Sequence, residues 1–109
     1  MYCAFCFRNF KSINAGKLYE RLGQINLIDV REVNEFKAGH VPYARNIPIS
    51  YLLSNPEHYL DKSKEYYIIC QSGSRSLKAC SILFKKGYKV INVEGGTSGY
   101  NKPLIIPRV

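Results

Sequence analysis

The sequence predicts an α/β domain whose β-sheet is mainly parallel. Three apolar runs of strand length recur along the chain at 25–30, 66–69 and 90–93, and segments with helical spacing lie between them. The runs are almost continuously apolar, which is typical of strands that helices bury on both faces. With 109 residues, the chain is long enough to bury one core and too short for two domains.

The first third of the chain is predicted to contain two short helices around a strand. Ser12, Ile13 and Asn14 offer capping residues for an amphipathic helix over 15–22, which a glycine follows. The apolar run 25–30 is the strand. A second short helix over 32–38 then ends at another glycine.

Prolines constrain the middle of the chain. Pro42 and Pro48 bracket a short strand and exclude a helix between them. Short helical pieces are predicted at 50–53 and 56–60, and Pro56 suits the first turn of the second piece. The strand 66–69 comes next.

The last third contains the clearest helical pattern, over 74–86. Its apolar stripe consists of Ala79, Cys80, Leu83 and Phe84. Gly87 is well placed to cap the end of this helix. Residues 90–93 form the last predicted strand, and Gly95-Gly96 turns the chain out of it.

The formal net charge of +8, from 16 basic and 8 acidic residues, indicates a basic, solvated surface. Lysine and arginine are scattered along the chain and do not form a run with interleaved aromatic residues, so we expect no nucleic-acid partner. The charge would still attract a small anionic substrate.

No apolar run approaches the length that spans a membrane, so we expect a soluble protein with no membrane partner. The apolar N-terminal stretch is too short for a secretory signal and lacks its basic leader. Because no segment specifies another destination, we expect a cytoplasmic location.

The four cysteines are expected to be reduced, because their spacing is not that of a small disulfide-stapled scaffold. Cys3-x-x-Cys6 could be half of a zinc site or a redox pair. Further ligands are scarce and the pair does not follow a strand, so we interpret it as packing of an N-terminal extension. Cys80 lies on the apolar stripe of the predicted helix, which favours core packing over a role as a resolving cysteine.

Cys70 follows the strand 66–69 and begins the polar loop Cys70-Gln71-Ser72-Gly73-Ser74-Arg75-Ser76. Open α/β sheets bind ligands at the carboxyl ends of their strands. Backbone N–H groups of the loop, the N-terminus of the next helix and Arg75 all favour negative charge at the sulfur. We therefore expect a lowered pKa for Cys70 and a nucleophilic thiolate.

This loop resembles the active-site loop of the rhodanese family, single-domain sulfurtransferases of the rhodanese/Cdc25-phosphatase fold. Other parts of the chain resemble the signatures of the same family: Asp29-Val30-Arg31-Glu32 with Glu35-Phe36, the stretch from Gly39-His40-Val41-Pro42-Tyr43 to Ala44-Arg45-Asn46-Ile47-Pro48, Gly87-Tyr88 and Gly95-Gly96. The match covers roughly residues 12–103. Three motifs in the right order are far more specific than one.

The resemblance implies a three-layer domain over residues 12–109, with a roughly five-stranded sheet flanked by helices, after an N-terminal extension of residues 1–11. It also implies a ping-pong reaction. The Cys70 thiolate would take a sulfane sulfur from thiosulfate or a similar small anionic donor and pass it to cyanide or another thiophilic acceptor. The residues that would bind the persulfide are those of the loop, namely Gln71, Ser72, Gly73, Ser74, Arg75 and Ser76. No metal or organic cofactor is required.

We interpret the first signature as structural. Asp29, Arg31, Glu35 and His40 should pair with each other and with backbone groups. Asp29 and Arg31 also leave the sheet at a strand end, so they could border the pocket.

Two alternatives use the same cysteine. A non-catalytic or carrier module would deliver the persulfide sulfur to an acceptor protein, and it needs the same loop. A Cys-dependent phosphatase or arsenate reductase is disfavoured, because phosphatases of this fold carry Cys-x5-Arg, whereas only four residues separate Cys70 from Arg75. The shorter loop suits a single sulfur. In a further departure from the family, Tyr100 replaces the tryptophan that usually follows the glycine pair.

Overall fold

The computed structural model describes residues 10–107. Five parallel strands form one sheet in the order β1-β5-β4-β2-β3. The strands are β1 (Lys11–Asn14), β2 (Asn26–Asp29), β3 (Arg45–Asn46), β4 (Glu65–Ile69) and β5 (Lys89–Glu94). The helices are α1 (Val33–Ala38), α2 (Ile49–Ser54), α3 (Pro56–Tyr59), α4 (Ser74–Lys85) and α5 (Gly96–Gly99). The predicted fold class is confirmed.

The sheet separates two apolar clusters, and this separation gives the domain three layers. The first cluster packs α4 and α2 on one face of the sheet and includes Leu52, Ile68, Ala79, Cys80, Leu83 and Val90. The second covers the other face and includes Ala15, Leu18, Val41, Tyr67, Ile69, Ile91, Val93 and Tyr100. Successive strand residues point to opposite faces, so each central strand contributes to both clusters. Each large apolar side chain buried in this way contributes about 1.5–3 kcal/mol.

The beginning of the described chain differs from the prediction. Residues 15–22 do not form an α-helix: β1 pairs with β5, and two 3₁₀ turns follow at Ala15–Lys17 and Tyr19–Arg21. Asn14 does act as a cap, because its side-chain oxygen accepts the Gly16 N–H at 2.9 Å. Gly16 disfavours a continuous α-helix here. The strand itself depends on pairing with a partner that is distant in sequence, which no local pattern reveals.

The long helix α4 agrees with the prediction except at Phe84. Cys80 is fully buried as expected, and burial raises the pKa of its thiol to about 12. Phe84 is 37% exposed. Its ring lies near the ring of Phe10, with centroids 6.2 Å apart, and both rings line a cavity beside the core. Gly87 follows the helix with a φ of 96°, as a C-terminal capping glycine should.

Two predictions concern parts of the chain that lie largely outside the described residues. The N-terminal extension 1–11 is described only at Phe10 and at Lys11, where β1 begins. Cys3 and Cys6 are outside. Within residues 10–107, no helix combines the length and the apolar character that crossing a membrane requires.

Tyr43 occupies a strained backbone position. Its φ is 70°, which makes it the one non-glycine residue with a positive φ between residues 10 and 107. Its side chain is 74% exposed. A left-handed conformation costs an L-amino acid about 1–2 kcal/mol, and an exposed ring offers little packing to offset that cost.

We expect Tyr43→Gly to raise the free energy of unfolding by about 0.5–1 kcal/mol. The relieved strain exceeds the entropy that a new glycine adds to the unfolded chain. Urea denaturation measures the difference. Tyr43→Ala is the matched control, because it removes the ring but keeps the strained Cβ, and it should give no increase. Equal stabilisation by alanine and glycine would contradict the explanation.

Candidate active site

The sulfur of Cys70 lies at the carboxyl end of the central strand β4 and is surrounded by hydrogen-bond donors. Sγ accepts the backbone N–H of Gly73 at 3.1 Å and that of Ser76 at 3.3 Å, and it lies 3.4 Å from Ser76 Oγ. Gly73 has a φ of 110°, a conformation that glycine tolerates and that turns the loop around the sulfur. Helix α4 begins at the next residue. Cys70 itself is fully buried.

These donors determine the acidity of the thiol. Burial raises the pKa of Cys70, but hydrogen bonds from the Ser76 side chain and from the amides of Ser76, Gly73 and Ser72 lower it further than burial raises it. The pKa therefore lies below its ordinary value, in the direction that the sequence predicts. A larger fraction of the sulfur is then thiolate at a given pH, and the thiolate is the nucleophile.

Arg75 is bound by a carboxylate of another helix. Its two terminal nitrogens donate to the two oxygens of Glu35, at 2.7 and 2.9 Å. Glu35 also accepts the backbone N–H of Glu32 at 3.0 Å, in the capping box of α1. The Arg75 hydrogen bond is the main reason that the pKa of Glu35 is lowered to about 2. Arg75 thus ties the start of α4 to α1, as a residue that holds the loop.

Asp29 and Arg31 form a buried ion pair beside the loop. Arg31 is 3% exposed, and its Nε and one terminal nitrogen contact the Asp29 carboxylate at 2.9–3.1 Å. That same terminal nitrogen donates to the carbonyl of Gly39 at 2.8 Å. The other terminal nitrogen donates to Gln71 Oε1 at 3.0 Å. Asp29 and Arg31 therefore pair with each other, as the sequence predicts, and Arg31 also reaches the loop. Glu35 accepts a backbone N–H of the first signature but otherwise differs from the prediction, because its carboxylate forms its ion pair with the arginine of the loop.

His40 also pairs with backbone groups. Its Nδ1 lies 3.1 Å from the carbonyl of Phe36, and the two rings stack with centroids 3.7 Å apart. Two backbone hydrogen bonds join His40 to Ile105, at 2.8 and 3.0 Å. These contacts fix the C-terminal segment next to the end of α1 and leave His40 with a structural position.

Two cavities flank the loop. Gln71 donates to Ser98 Oγ at 2.8 Å while it accepts from Arg31. Its side chain thereby lines a cavity of about 310 Å³ together with Arg31, Glu35, Ala38, Gly39, Thr97 and Leu104. Ser72 and Ser74 line a second cavity of about 270 Å³ together with Gly73, Leu77, Asn92, Glu94 and Gly95. Cys70 lines neither cavity. Of the loop residues, Gly73 and Ser76 contact its sulfur, and Arg75 binds Glu35.

Residues of β5 and α5 that the sequence patterns did not indicate also support the loop. The backbone N–H of Thr97 donates to the carbonyl of Cys70 at 2.8 Å, and that of Ser98 donates to the carbonyl of Gln71 at 3.0 Å. Asn92 Oδ1 accepts the Ser76 hydroxyl at 2.6 Å. Asn92 is a polar residue inside the apolar run of β5, and this is the sequence feature that could have indicated a buried hydrogen bond there. The glycine pair signalled a turn but not its contact with the loop.

Within the described part of the chain, no group of three or more His, Cys, Asp or Glu side chains could hold a metal ion.

Comparison with known proteins agrees with this geometry. The chain matches the Rhodanese-like domain family over residues 14–103. It is 40% identical over 99 residues to a Bacillus subtilis protein named Putative sulfurtransferase YtwF, an alignment that covers 85% of this chain and 95% of the relative. It is also 40% identical over 73 residues to Putative sulfur carrier protein YrkF of Bacillus subtilis. That alignment covers 66% of this chain but only 39% of the carrier.

A solved structure has the same architecture. A rhodanese-like domain protein from Staphylococcus aureus superposes with a TM-score of 0.81 and 31% sequence identity. The alignment covers 91% of this chain and 100% of that protein.

Gly96 has no room for a side chain. A Cβ at this position would lie 2.6 Å from the carbonyl oxygen of Gln71 and still closer to that of Cys70, and the φ of Gly96 is 57°. We expect Gly96→Ala to lower the free energy of unfolding by about 2–4 kcal/mol, because the loop must move away from α5.

Gly99 provides the matched control for Gly96 within the same helix. A Cβ there meets its nearest neighbour, the Ala15 Cβ, at 3.4 Å, which is ordinary contact. Gly99→Ala should change the stability by no more than about 0.5 kcal/mol in urea denaturation. Equal effects of the two substitutions would show that the loop contact is not the cause.

The ion pair of Glu35 and Arg75 predicts a pH dependence of stability. The pKa of Glu35 falls from 4.5 to about 2 on folding, so its stabilisation is fully present above pH 4.5 and is lost as the pH falls towards 2. Glu35→Gln should therefore destabilise the protein near neutral pH, by less than about 1 kcal/mol because both groups are partly exposed, and have almost no effect near pH 2.

Urea denaturation at several pH values measures this difference. The exposed residue Glu20 is the control, and Glu20→Gln should leave the stability unchanged across the same pH range. A pH-independent effect of Glu35→Gln would contradict the assignment.

Proposed function

The chain belongs to the rhodanese-like domain family, and from this membership we propose that it is a sulfurtransferase that carries a sulfane sulfur on Cys70. The donor is thiosulfate or a similar small anion, and the acceptor is cyanide or another thiophilic molecule. The observation that supports this proposal most is the environment of the Cys70 sulfur. Two backbone N–H groups and a serine hydroxyl converge on it at the end of the central strand.

The first half of the reaction transfers one sulfur to the protein. The Cys70 thiolate attacks the outer sulfur of thiosulfate, a new S–S bond forms, and the original S–S bond breaks with its electron pair leaving on sulfite. The product is a Cys70 persulfide with one negative charge, so atoms and charge balance. The amides of Gly73 and Ser76 stabilise the thiolate charge on Sγ before this step. After it, the negative charge is on the outer sulfur of the persulfide, which the loop residues would bind.

The second half restores the thiolate. Cyanide attacks the outer sulfur of the persulfide, the S–S bond breaks, and thiocyanate leaves while the electron pair returns to Cys70. The bound sulfur is an intermediate that divides one difficult transfer into two easier ones. This chemistry uses side chains and amides of the chain itself.

The surroundings of Cys70 favour a small donor. The cavity beside Gln71 measures about 310 Å³, which is near the lower limit for ligand pockets, and Cys70 itself does not line it. Because Cys70 is fully buried, a donor reaches its sulfur only when residues of the loop or their neighbours move. The net charge of +8 attracts anions in general. A small anion with an accessible outer sulfur meets these requirements.

Delivery of sulfur to an acceptor protein is a second candidate. The similarity to a protein named as a sulfur carrier favours it, although that relative is much longer than this chain. The same persulfide would form, but a protein thiol or another protein nucleophile would remove the sulfur. Rapid formation of the persulfide with slow release to cyanide would support this candidate.

A phosphatase reaction is disfavoured by the position of Arg75. A phosphate site of this fold needs an arginine that turns toward the anion, whereas both terminal nitrogens of Arg75 are bound by Glu35. The loop also leaves only four residues between Cys70 and Arg75, which limits its size.

Intact-mass analysis after incubation with thiosulfate tests the proposal directly. The wild-type protein should gain one sulfur atom, lose it on addition of cyanide and release thiocyanate. Cys70→Ser should gain no sulfur and form thiocyanate at least about a thousandfold more slowly, because it lacks the nucleophile. Cys80→Ala is the control, since Cys80 is buried in the core, and it should retain sulfur transfer.

Thiocyanate formation by Cys70→Ser at the wild-type rate would refute the role of Cys70. Hydrolysis of an aryl phosphate that depends on Cys70 would instead support the phosphatase alternative.

A further inference from the structure

The hydroxyl of Ser76 is surrounded by three polar neighbours in a buried space. Ser76 Oγ lies 2.6 Å from Asn92 Oδ1, 3.0 Å from the carbonyl oxygen of Gly73 and 3.4 Å from Cys70 Sγ. Ser76 and Cys70 are fully buried, and Asn92 is 3% exposed. A hydroxyl has one hydrogen, so it donates a strong hydrogen bond to only one of these neighbours at a time.

The distances indicate where that hydrogen points when Cys70 is a thiol. The contact with Asn92 Oδ1 is the shortest of the three and lies in the range of a good O–H···O hydrogen bond. Cys70 S–H can then donate to Ser76 Oγ, at 3.4 Å. The thiol, the hydroxyl and the amide oxygen thus form a chain in which each hydrogen points toward Asn92.

The strand β5 places Asn92 on the side of the sheet that faces α4. Val90 packs in the cluster that contains α4, whereas Ile91 and Val93 pack in the cluster on the other face. Alternation along the strand puts Asn92 on the same face as Val90. Its partner across the sheet is Ile68, two residues before Cys70. The register of the sheet therefore fixes Asn92 next to Ser76.

We propose that Asn92 is a positioning residue that orients the Ser76 hydroxyl. While Cys70 is a thiol, Asn92 Oδ1 accepts the hydroxyl hydrogen, so Ser76 Oγ can accept the thiol hydrogen. When the sulfur becomes negatively charged, the Ser76 hydroxyl donates to the sulfur instead. This inference rests on the proposed role of Cys70. Ionisation moves the thiol proton to solvent, and the Ser76 hydroxyl rotates from Asn92 Oδ1 to Sγ. Only hydrogen bonds rearrange.

Asn92 and Ser76 should therefore affect the ionisation of Cys70 in opposite directions. Asn92 stabilises the neutral thiol, because Asn92 Oδ1 accepts a hydrogen bond from the Ser76 hydroxyl only while Cys70 is protonated. Ser76 stabilises the thiolate through its donated hydrogen bond. The other ionisable groups around the site are Arg75 and Cys80 of α4, the pair of Asp29 and Arg31 at the end of β2, Glu35 of α1 and Glu94 of β5. They are the same in every variant compared.

Titration of the thiolate by its ultraviolet absorbance tests the inference. The full-length chain is compared as wild type, Asn92→Leu, Ser76→Ala and the double variant, and the spectrum of the matching Cys70→Ser protein is subtracted from each. Asn92→Leu should increase the acid dissociation constant of Cys70 about threefold to tenfold, and Ser76→Ala should decrease it by a similar factor. In the Ser76→Ala background, Asn92→Leu should have no effect.

A purely structural role of Asn92 would give a different result. If Asn92→Leu changes the dissociation constant equally with and without the Ser76 hydroxyl, or decreases it, the inference is wrong. If Asn92→Leu prevents folding, Asn92→Val replaces it in the same comparison of single and double variants, because valine suits a buried strand. Thermal denaturation verifies that each variant is folded.

This titration uses no sulfur donor, so it is independent of the sulfurtransferase assay. If the predicted shifts occur and no persulfide forms with thiosulfate, the role of Asn92 is supported and the proposed function is refuted. If sulfur transfer occurs and the shifts are absent, the inference about Asn92 alone is refuted.

Discussion

The structure depends on one constraint: β4 lies at the centre of a parallel sheet and ends at Ile69, directly before Cys70. The neighbouring strands β2 and β5 fix the last residues of β4, and the Thr97 N–H holds the carbonyl of Cys70 from beyond the sheet at 2.8 Å. Because α4 starts only a few residues later and packs in the core, its first amides are fixed as well. The donors around the sulfur are therefore organised by folding, before any substrate arrives.

The electrostatics of the site come from short-range contacts more than from formal charge. Burial alone would raise the pKa of Cys70, and hydrogen bonds at 3.1–3.4 Å reverse that effect. Both nearby arginines are already paired, Arg75 with Glu35 and Arg31 with Asp29. The pair of Arg75 and Glu35 connects the loop to α1, and the hydrogen bond from Arg31 to Gln71 connects it to the end of β2. Hydrogen bonds to one atom favour charge on that atom, whereas an unpaired arginine would attract any anion.

The sequence predicts the local parts of the site and misses those that depend on distant pairing. The run 66–69, the loop after it and the helix that follows have strong local signals, and the structure contains all three. The strand β1 is held by pairing with β5, about eighty residues later in the chain, so its sequence resembles a helix start. Asn92 and Thr97 reach the loop only because the sheet brings β5 next to β4. The roles of both depend on the register of the sheet.

The partners of the Cys70 sulfur differ in whether they can donate hydrogen bonds, accept them or do both, and this difference explains why one of them is a serine hydroxyl. A backbone N–H can only donate, so the amides of Gly73 and Ser76 favour the thiolate and offer nothing to a thiol hydrogen. Among the partners of Sγ that the structure describes, the Ser76 hydroxyl is the one that can both accept and donate. A buried sulfur that alternates between neutral and charged states needs such a group, because an unsatisfied polar atom in the core is costly in either state. The hydroxyl then needs an acceptor of its own, and this need explains why Asn92 is buried among the apolar residues Val90, Ile91 and Val93 of β5.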